Sequence, residues 1–279
     1  MDDQDDLVLP TDSFTASVRP VRQSWDDEEP DPEASTYAAG EHGPDPVPDW
    51  VITDDAARQL ELGALKSGKE ADVVLVERSV GSRVNLLAAK RYRGFDQRTF
   101  KDDARYRNNR KTGSRRVDLA VRKGTRQGMR FREALWVDHE FEVLGRLWSA
   151  GVAVPYPVQK LGRELMLEYI GDETGAAPRL AEGRRSREEL TALCARLVED
   201  VRMMVHHGVV HADLSPYNLL VWQDRLVIID LPQAVDPQSP DGMDLLRRDV
   251  LNVFGWFARR GVACDPEALF ADLAAEAFS

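Results

Sequence analysis

Apolar and polar positions change their period several times along this chain, and each change marks an element. In LELGALKSGKEADVVLVERSVGSRVNLLAAKRYR, residues 60–93, short apolar runs are broken by Gly68 and by Gly81-Ser82. Runs of this length bounded by glycine turns predict three strands, at 60–66, 71–78 and 85–93. In REALWVDHEFEVLGRLWSAG, Leu135, Phe141, Leu144 and Leu147 follow helical spacing, which predicts a helix over 132–151 ended by Gly151. VPYPVQKLGRELMLEYIG then reads as two short strands turning at Gly162. Ser186 and Glu189 form a capping-box pattern that opens the next helix, and Gly208 closes it. Further on, a strand at 226–229 runs into Asp230, and helices follow near 242–260 and 266–278. Asp265-Pro266 opens the last one in the favoured N-cap and N1 order. Strands crowd the first part and helices the second. The expected class is α+β, with a β-rich lobe over about 50–170, a helical lobe over about 171–279, and a cleft between them.

Residues 1–48 have no such period. They are rich in Asp, Glu, Pro and Ser with scattered apolar positions, too few to offset the entropy of ordering, and a disordered acidic tail is expected. Charge sharpens the division. Residues 1–50 carry 14 acidic and 2 basic side chains, whereas 88–132 carry 16 Lys or Arg against 4 Asp. The net charge of −11 therefore describes an acidic head on a near-neutral body with one basic stretch. That stretch, about 94–130, is too long and polar for an ordinary connection and reads as a flexible insertion. Its expected partner is a polyanion, either nucleic acid in trans or the acidic tail in cis. Cys194 and Cys264 lack the spacing zinc needs, so two reduced thiols are expected. The opening MDDQDDL is the opposite of a basic signal-peptide start, and no apolar run approaches the ~18–20 residues of a membrane span. A cytoplasmic protein without a membrane partner is the expectation.

The chemistry concentrates in VVHADLSPYNLLV, residues 209–221, where short polar residues and a proline form a loop between apolar runs. Phosphoryl transfer from a nucleotide needs a carboxylate near the attacking hydroxyl, oxygen ligands for a divalent cation, and a cation on the phosphates. Asp213 offers the first. Asn218 and Asp230, twelve residues apart, offer an amide oxygen and a carboxylate to Mg²⁺. The H-x-D-x-x-x-x-N spacing followed by apolar-apolar-Asp is the kinase-like catalytic signature, with Ala212 where Arg is usual. Upstream, Lys90 in the third strand can reach nucleotide phosphates, and Glu140 on the following helix can hold it as an ion pair. Taken singly, each residue is as well explained as a loop cap, a strand-end lysine or a solvated helix acid. Lys, Glu, Asp, Asn and Asp in the required order are not. In the KSGKEAD turn, Gly68 permits a tight bend and Ser67 can hydrogen-bond phosphate, although the three-glycine cover of ordinary kinases is absent.

Other departures point the same way. Asp230 is followed by Leu-Pro-Gln rather than Phe-Gly, and 49 residues follow it, with no A-P-E segment. SGKEADVV, the basic insertion before the Glu140 helix, HADLSPYN, IIDLPQAV and LLRRDVLNV together resemble the RIO-type atypical serine protein kinases, over about residues 50–260. The resemblance implies a trimmed two-lobed kinase fold without activation loop or peptide-gripping helices. It implies that Ser67, Gly68, Lys69 and Lys90 bind ATP phosphates, that Glu140 holds Lys90, and that Asp213 is the catalytic base. Asn218 and Asp230 would hold Mg²⁺, with Mn²⁺ the alternative ion. Leu167 would be the gatekeeper, and the backbones of Glu168 and Ile170 would face the adenine edge. Family members are linked to autophosphorylation, ATP hydrolysis and small-ribosomal-subunit maturation, which makes RNA or a ribosomal subunit the candidate partner of the basic insertion. Asp230 is also the position where such kinases support an aspartyl phosphate. The chain resembles a divergent, kinase-domain-only member, with an Ala-, Arg- and Asp-rich composition that suits a high-GC bacterium. Two other readings remain open: a small-molecule phosphotransferase of the aminoglycoside-kinase type, and an ATP-gated scaffold that binds RNA or protein.

Overall fold

Alternation along the first strands builds an antiparallel sheet whose glycine turns set the register. In this computed structural model the described residues are 33–68, 70–93 and 126–278. Lys69, residues 94–125 of the basic insertion and residues 1–32 of the acidic tail lie outside them. β2 (Arg58–Ser67), β3 (Ala71–Val80) and β4 (Arg83–Tyr92) form a meander. Val80 pairs with Arg83, so the two-residue Gly81-Ser82 turn closes the hairpin, with Gly81 at φ 60°. A side chain would resist that left-handed backbone. β5 (Pro157–Leu161) and β6 (Glu164–Glu168) turn at Gly162 as expected and complete the sheet against β4. With β1 at Glu41–His42, the full order is β1-β5-β6-β4-β3-β2, six strands in all.

The first strand in that order corrects the expected tail. β1 (Glu41–His42) lies inside the stretch expected to be disordered to residue 48, and it pairs with β5. A 3-10 helix at Tyr37–Ala39 precedes it, and Tyr37 is buried. The cause is Arg78, whose side chain is fully buried on β3. Its guanidinium donates to Gln59, Gln159 and the Ile52 carbonyl, and it lies 5.4 Å from the centre of the Tyr37 ring. A buried guanidinium without a carboxylate partner among these contacts must be enclosed by neutral acceptors and an aromatic face. Residues 33–52 supply part of that enclosure, so order begins no later than Glu33.

The second lobe is built on helices. α1 (Arg126–Ser149) starts six residues before the expected position 132, so the last residues of the expected insertion, 126–130, are helical. Arg, Gln and Met there are good helix formers without an apolar period, which is why periodicity does not reveal them. After the β7 (Gly171–Asp172) and β8 (Gly175–Ala176) hairpin comes α2 (Arg187–His206), opened by the Ser186–Glu189 capping box. β9 (Leu219–Trp222) and β10 (Arg225–Ile228) pair around Gln223-Asp224, both with positive φ. The apolar run before the Asp213 loop forms only a single bridge, between Val210 and Val235. α3 (Gly242–Ala258) and α4 (Pro266–Glu276) close the lobe. Asp265 caps α4 by accepting from the Glu267 and Ala268 amides. One core joins α1, α2, α3 and α4, with Leu147, Leu197, Val253 and Phe257 fully enclosed. No helix among the described residues is long and apolar enough to cross a membrane.

Tyr37→Ala tests whether residues 33–40 belong to the fold. It should cost about 3 kcal/mol of stability in urea unfolding, the scale of a buried aromatic truncated to Ala. A loss below about 1 kcal/mol would return this segment to the tail.

Candidate active site

The two parts of the fold meet around a cavity of about 640 Å³. That volume suits a small organic ligand. Val73, Ala88 and Leu167 contribute apolar wall, while Lys66, Gly68, Glu70, Lys90, Glu140 and Asp230 bring polar groups to it.

Lys90 is the centre of these contacts. β4 alternates, so Lys90 shares the cavity face with Ala88 and Tyr92, opposite the buried Leu87 and Ala89, and it is itself buried. Nζ donates to Glu140 Oε1 and to Asp230 Oδ1, each at 2.7 Å. Burial alone would lower the ammonium's pKa, but Glu140 and Asp230 carry it above its ordinary value. Glu140, 1% exposed on α1, also accepts from the Tyr92 hydroxyl and from the Leu231 amide at 3.0 Å. One carboxylate thus ties β4, α1 and the segment after Asp230 together. Burial would raise Asp230, yet Lys90 and Lys66 pull its carboxyl below the usual range, so it stays ionised. Its φ of 71° is a left-handed conformation held by these contacts.

The loop that carries Asp213 and Asn218 is fixed separately. His211 is buried, and its Nε2 is hydrogen-bonded with the Ile229 carbonyl at 3.0 Å. Burial pushes its pKa down, so the ring stays neutral. Ala212 adopts φ 65°. Its amide and that of Leu214 donate to the two oxygens of Asp249, at 2.7 and 3.0 Å. Arg248 donates to the Ala212 carbonyl, and Asn252 to the Leu214 carbonyl at 3.0 Å. Three side chains of α3 therefore grip residues 212–214. Burial pushes the Asp249 carboxyl up to about 7, against the opposing pull of the two amides. Asp213 itself is exposed. Asn218 donates from Nδ2 to the Asp213 carbonyl at 2.9 Å and to Asp213 Oδ2 at 3.3 Å. Its amide nitrogen is thereby committed, and its amide oxygen is the group it can present to a hard cation. An amide oxygen and a carboxylate suit an ion that takes its remaining oxygens from phosphate and water. No cluster of three or more His, Cys, Asp or Glu that could hold a metal occurs among the described residues.

Of the expected site residues, Gly68, Lys90, Glu140, Glu168, Ile170 and Asp230 line the cavity. The Glu168 amide donates to the Tyr156 carbonyl, and the Ile170 carbonyl accepts from Ala177. Ser67 departs from the expectation. Its hydroxyl donates to Asp72 at 2.8 Å and accepts from Arg93, and its side chain is exposed rather than aimed at the cavity. Lys69 lies outside the described residues. Four residues that carry the site were not singled out by sequence: Lys66, Glu70, Tyr92 and Asp249. Glu70 is a further cavity carboxylate, raised by burial and by the charge of Asp230. Asp249 had a signal, since an acid at that position interrupts the apolar face formed by Leu246, Val250 and Val253.

Comparison with known proteins agrees with this geometry. The family model of the RIO domain matches residues 76–269. Serine/threonine-protein kinase RIO1 of Caenorhabditis elegans is 34% identical over 201 residues, which cover 72% of this chain and 37% of the relative. RIO-type serine/threonine-protein kinase Rio1 of Thermoplasma acidophilum is 34% identical over 135 residues, or 48% of this chain and 70% of the relative. The chain spans about a third of the length of the Caenorhabditis and Dictyostelium relatives it matches. The family match runs from β3 through α3 into α4 and so takes in Lys90, Glu140, Asp213, Asn218 and Asp230. The chain belongs to the RIO domain family.

Proposed function

We propose that the protein is an ATP-dependent serine/threonine protein kinase of RIO type, which transfers the γ-phosphoryl group to serine and also hydrolyses ATP through an aspartyl phosphate. The observation that carries this reading is the Lys90 ammonium bridging Glu140 and Asp230 at 2.7 Å in a cavity of nucleotide size. Relatives named as serine/threonine-protein kinases support it.

The family implies ATP and a divalent metal; Mg²⁺ is the ion we assign, held by Asn218 and Asp230, with Mn²⁺ able to replace it. Bound there, the cation supplies charge neutralisation on the phosphates. Lys90 orients the α- and β-phosphates, and Glu140 keeps that ammonium aimed. The Glu168 carbonyl and the Ile170 amide, the groups not engaged in the bonds described above, take the adenine edge. Gly68 lets the turn backbone approach phosphate. Asp213, anchored through Asn218 and α3, orients the acceptor hydroxyl and takes its proton. The Asp230 carboxylate is the nearby nucleophile for the hydrolytic branch: an oxygen forms the bond to phosphorus as the ADP oxygen leaves, and water later cleaves the acyl phosphate. A protein is the substrate class. RNA or a ribosomal subunit, meeting the basic insertion, is the partner we assign outside the described residues, and the cytoplasm is the compartment. The two cysteines are free thiols, as a reducing compartment would keep them.

Three outcomes test this reading. Asp213→Asn should keep ATP binding and lose on the order of 10²–10⁴ in transfer rate, because the orienting group is gone while the metal ligands remain. Near-normal turnover would sink the assignment. After reaction with labelled ATP, label on Asp230 should be released by hydroxylamine; label that resists it and maps only to serine leaves a plain serine kinase. The third outcome concerns pH. Ionised Asp249 accepts from the two amides much more strongly than the protonated acid, so transfer should fall as pH drops through about 7, the value to which its carboxyl is pushed. Asp249→Asn should flatten that limb of the profile and slow transfer with nucleotide affinity retained. Because the folded value lies above the ordinary 3.8, Asp249 also subtracts stability as pH rises from 3.8 to about 7 and adds no further change above it. An unaltered pH profile in the variant would remove Asp249 from the site.

A further inference from the structure

β2 is irregular where it approaches the cavity. Its pairing with β3 runs Ala64 to Val74 and then Lys66 to Val73, so Leu65 is an extra residue in the ladder. Such a bulge turns the following side chains relative to a regular strand. Lys66 sits opposite Val73, and both line the cavity; Ser67 sits opposite Asp72 and bonds to it at 2.8 Å on the other face. The bulge therefore delivers a lysine where the sequence pattern had offered a serine.

The Lys66 ammonium lies 3.8 Å from Asp230 Oδ2, while Lys90 holds Oδ1 at 2.7 Å. Each oxygen of the carboxylate thus faces a different lysine, one from β2 and one from β4. Lys66 differs from Lys90 in its surroundings. Its side chain is 44% exposed against 10% for Lys90, and the only ion pair recorded for it among the described residues is the longer one to Asp230. A divalent cation on Asp230 would repel that ammonium and remove its present partner. The strongest new anion at that end of the cavity is the terminal phosphate of the nucleotide, which is also where charge develops in the reaction.

We propose that Lys66 is a catalytic residue that contacts the γ-phosphate of ATP and stabilises its charge during transfer, a task distinct from the α- and β-phosphate grip of Lys90. This rests on the phosphotransfer reading above. In the transfer the P–O bond to ADP breaks, the acceptor oxygen forms the new one, and the acceptor proton goes to Asp213.

The test measures Mg²⁺-dependent binding of ATP and of ADP, together with single-turnover transfer, in the full chain and in Lys66→Met and Lys66→Arg. Lys66→Met should weaken ATP about tenfold, the scale of one charge-assisted contact, and leave ADP nearly unchanged. Transfer in Lys66→Met should fall on the order of 10²-fold, and Lys66→Arg should recover most of it. Equal effects on ATP and ADP, or transfer within about threefold of the parent, would overturn the proposal and leave Lys66 as a partner of Asp230. If the parent chain itself binds neither nucleotide, the phosphotransfer reading fails first, and this assignment with it.

Discussion

A buried ammonium between two carboxylates sets the conditions for the rest of this protein. Lys90, with a side chain only 10% exposed, reaches Glu140 and Asp230, and removing any one of the three leaves the others without their partner in a largely dehydrated place. Breaking such a pair costs several kcal/mol, whereas exposed pairs on the same sheet contribute little. The contact also spans elements far apart in sequence, with β4, α1 and the start of the segment after Asp230 converging on Glu140. Placement of α1 and ionisation of Asp230 are therefore one problem, solved by one cation.

The loop that carries Asp213 is organised on a different footing. It contains no buried lysine; instead, α3 holds the loop by its peptide groups. Asp249, Arg248 and Asn252 address successive amides and carbonyls of residues 212–214, leaving the Asp213 side chain outside the grip. Backbone capture fixes the loop while the Asp213 carboxylate remains exposed. In the proposed reaction, phosphate handling would depend on contacts between the sheet and the helical part, and positioning of Asp213 on contacts within the helical part alone.

Legibility in the sequence follows this division. The meeting of Lys90 with Glu140 and Asp230, and of Asn218 with Asp213, could be expected because their order along the chain is itself information, and the strands around them have clear periods. Lys66 could not, because a bulge decides its direction and a one-residue slip in pairing leaves no trace in composition. Ser67 was favoured for its chemistry, and the same slip turned it away. The ordered stretch from Glu33 was hidden for another reason. Tyr37 has no periodic neighbours, and its burial depends on Arg78, which is distant in sequence and has the composition of a surface residue. Asp249 was visible as an acid on an apolar helix face, but only the loop it holds explains it.

The irregularity in β2 has a second effect, on association between molecules. β2 is the last strand of its sheet and exposes Leu60, Leu62 and Leu65. An open, apolar edge of this kind is a template on which strands of other chains can assemble. Here the outer edge is guarded at both ends. Residues 33–35 bond along its start, at Ala57 and Gln59, and two register shifts disturb its spacing from Glu61 to Lys66. The extra residue that aims a lysine into the cleft also makes the strand a poor match for another strand, so solubility and chemistry draw on the same distortion.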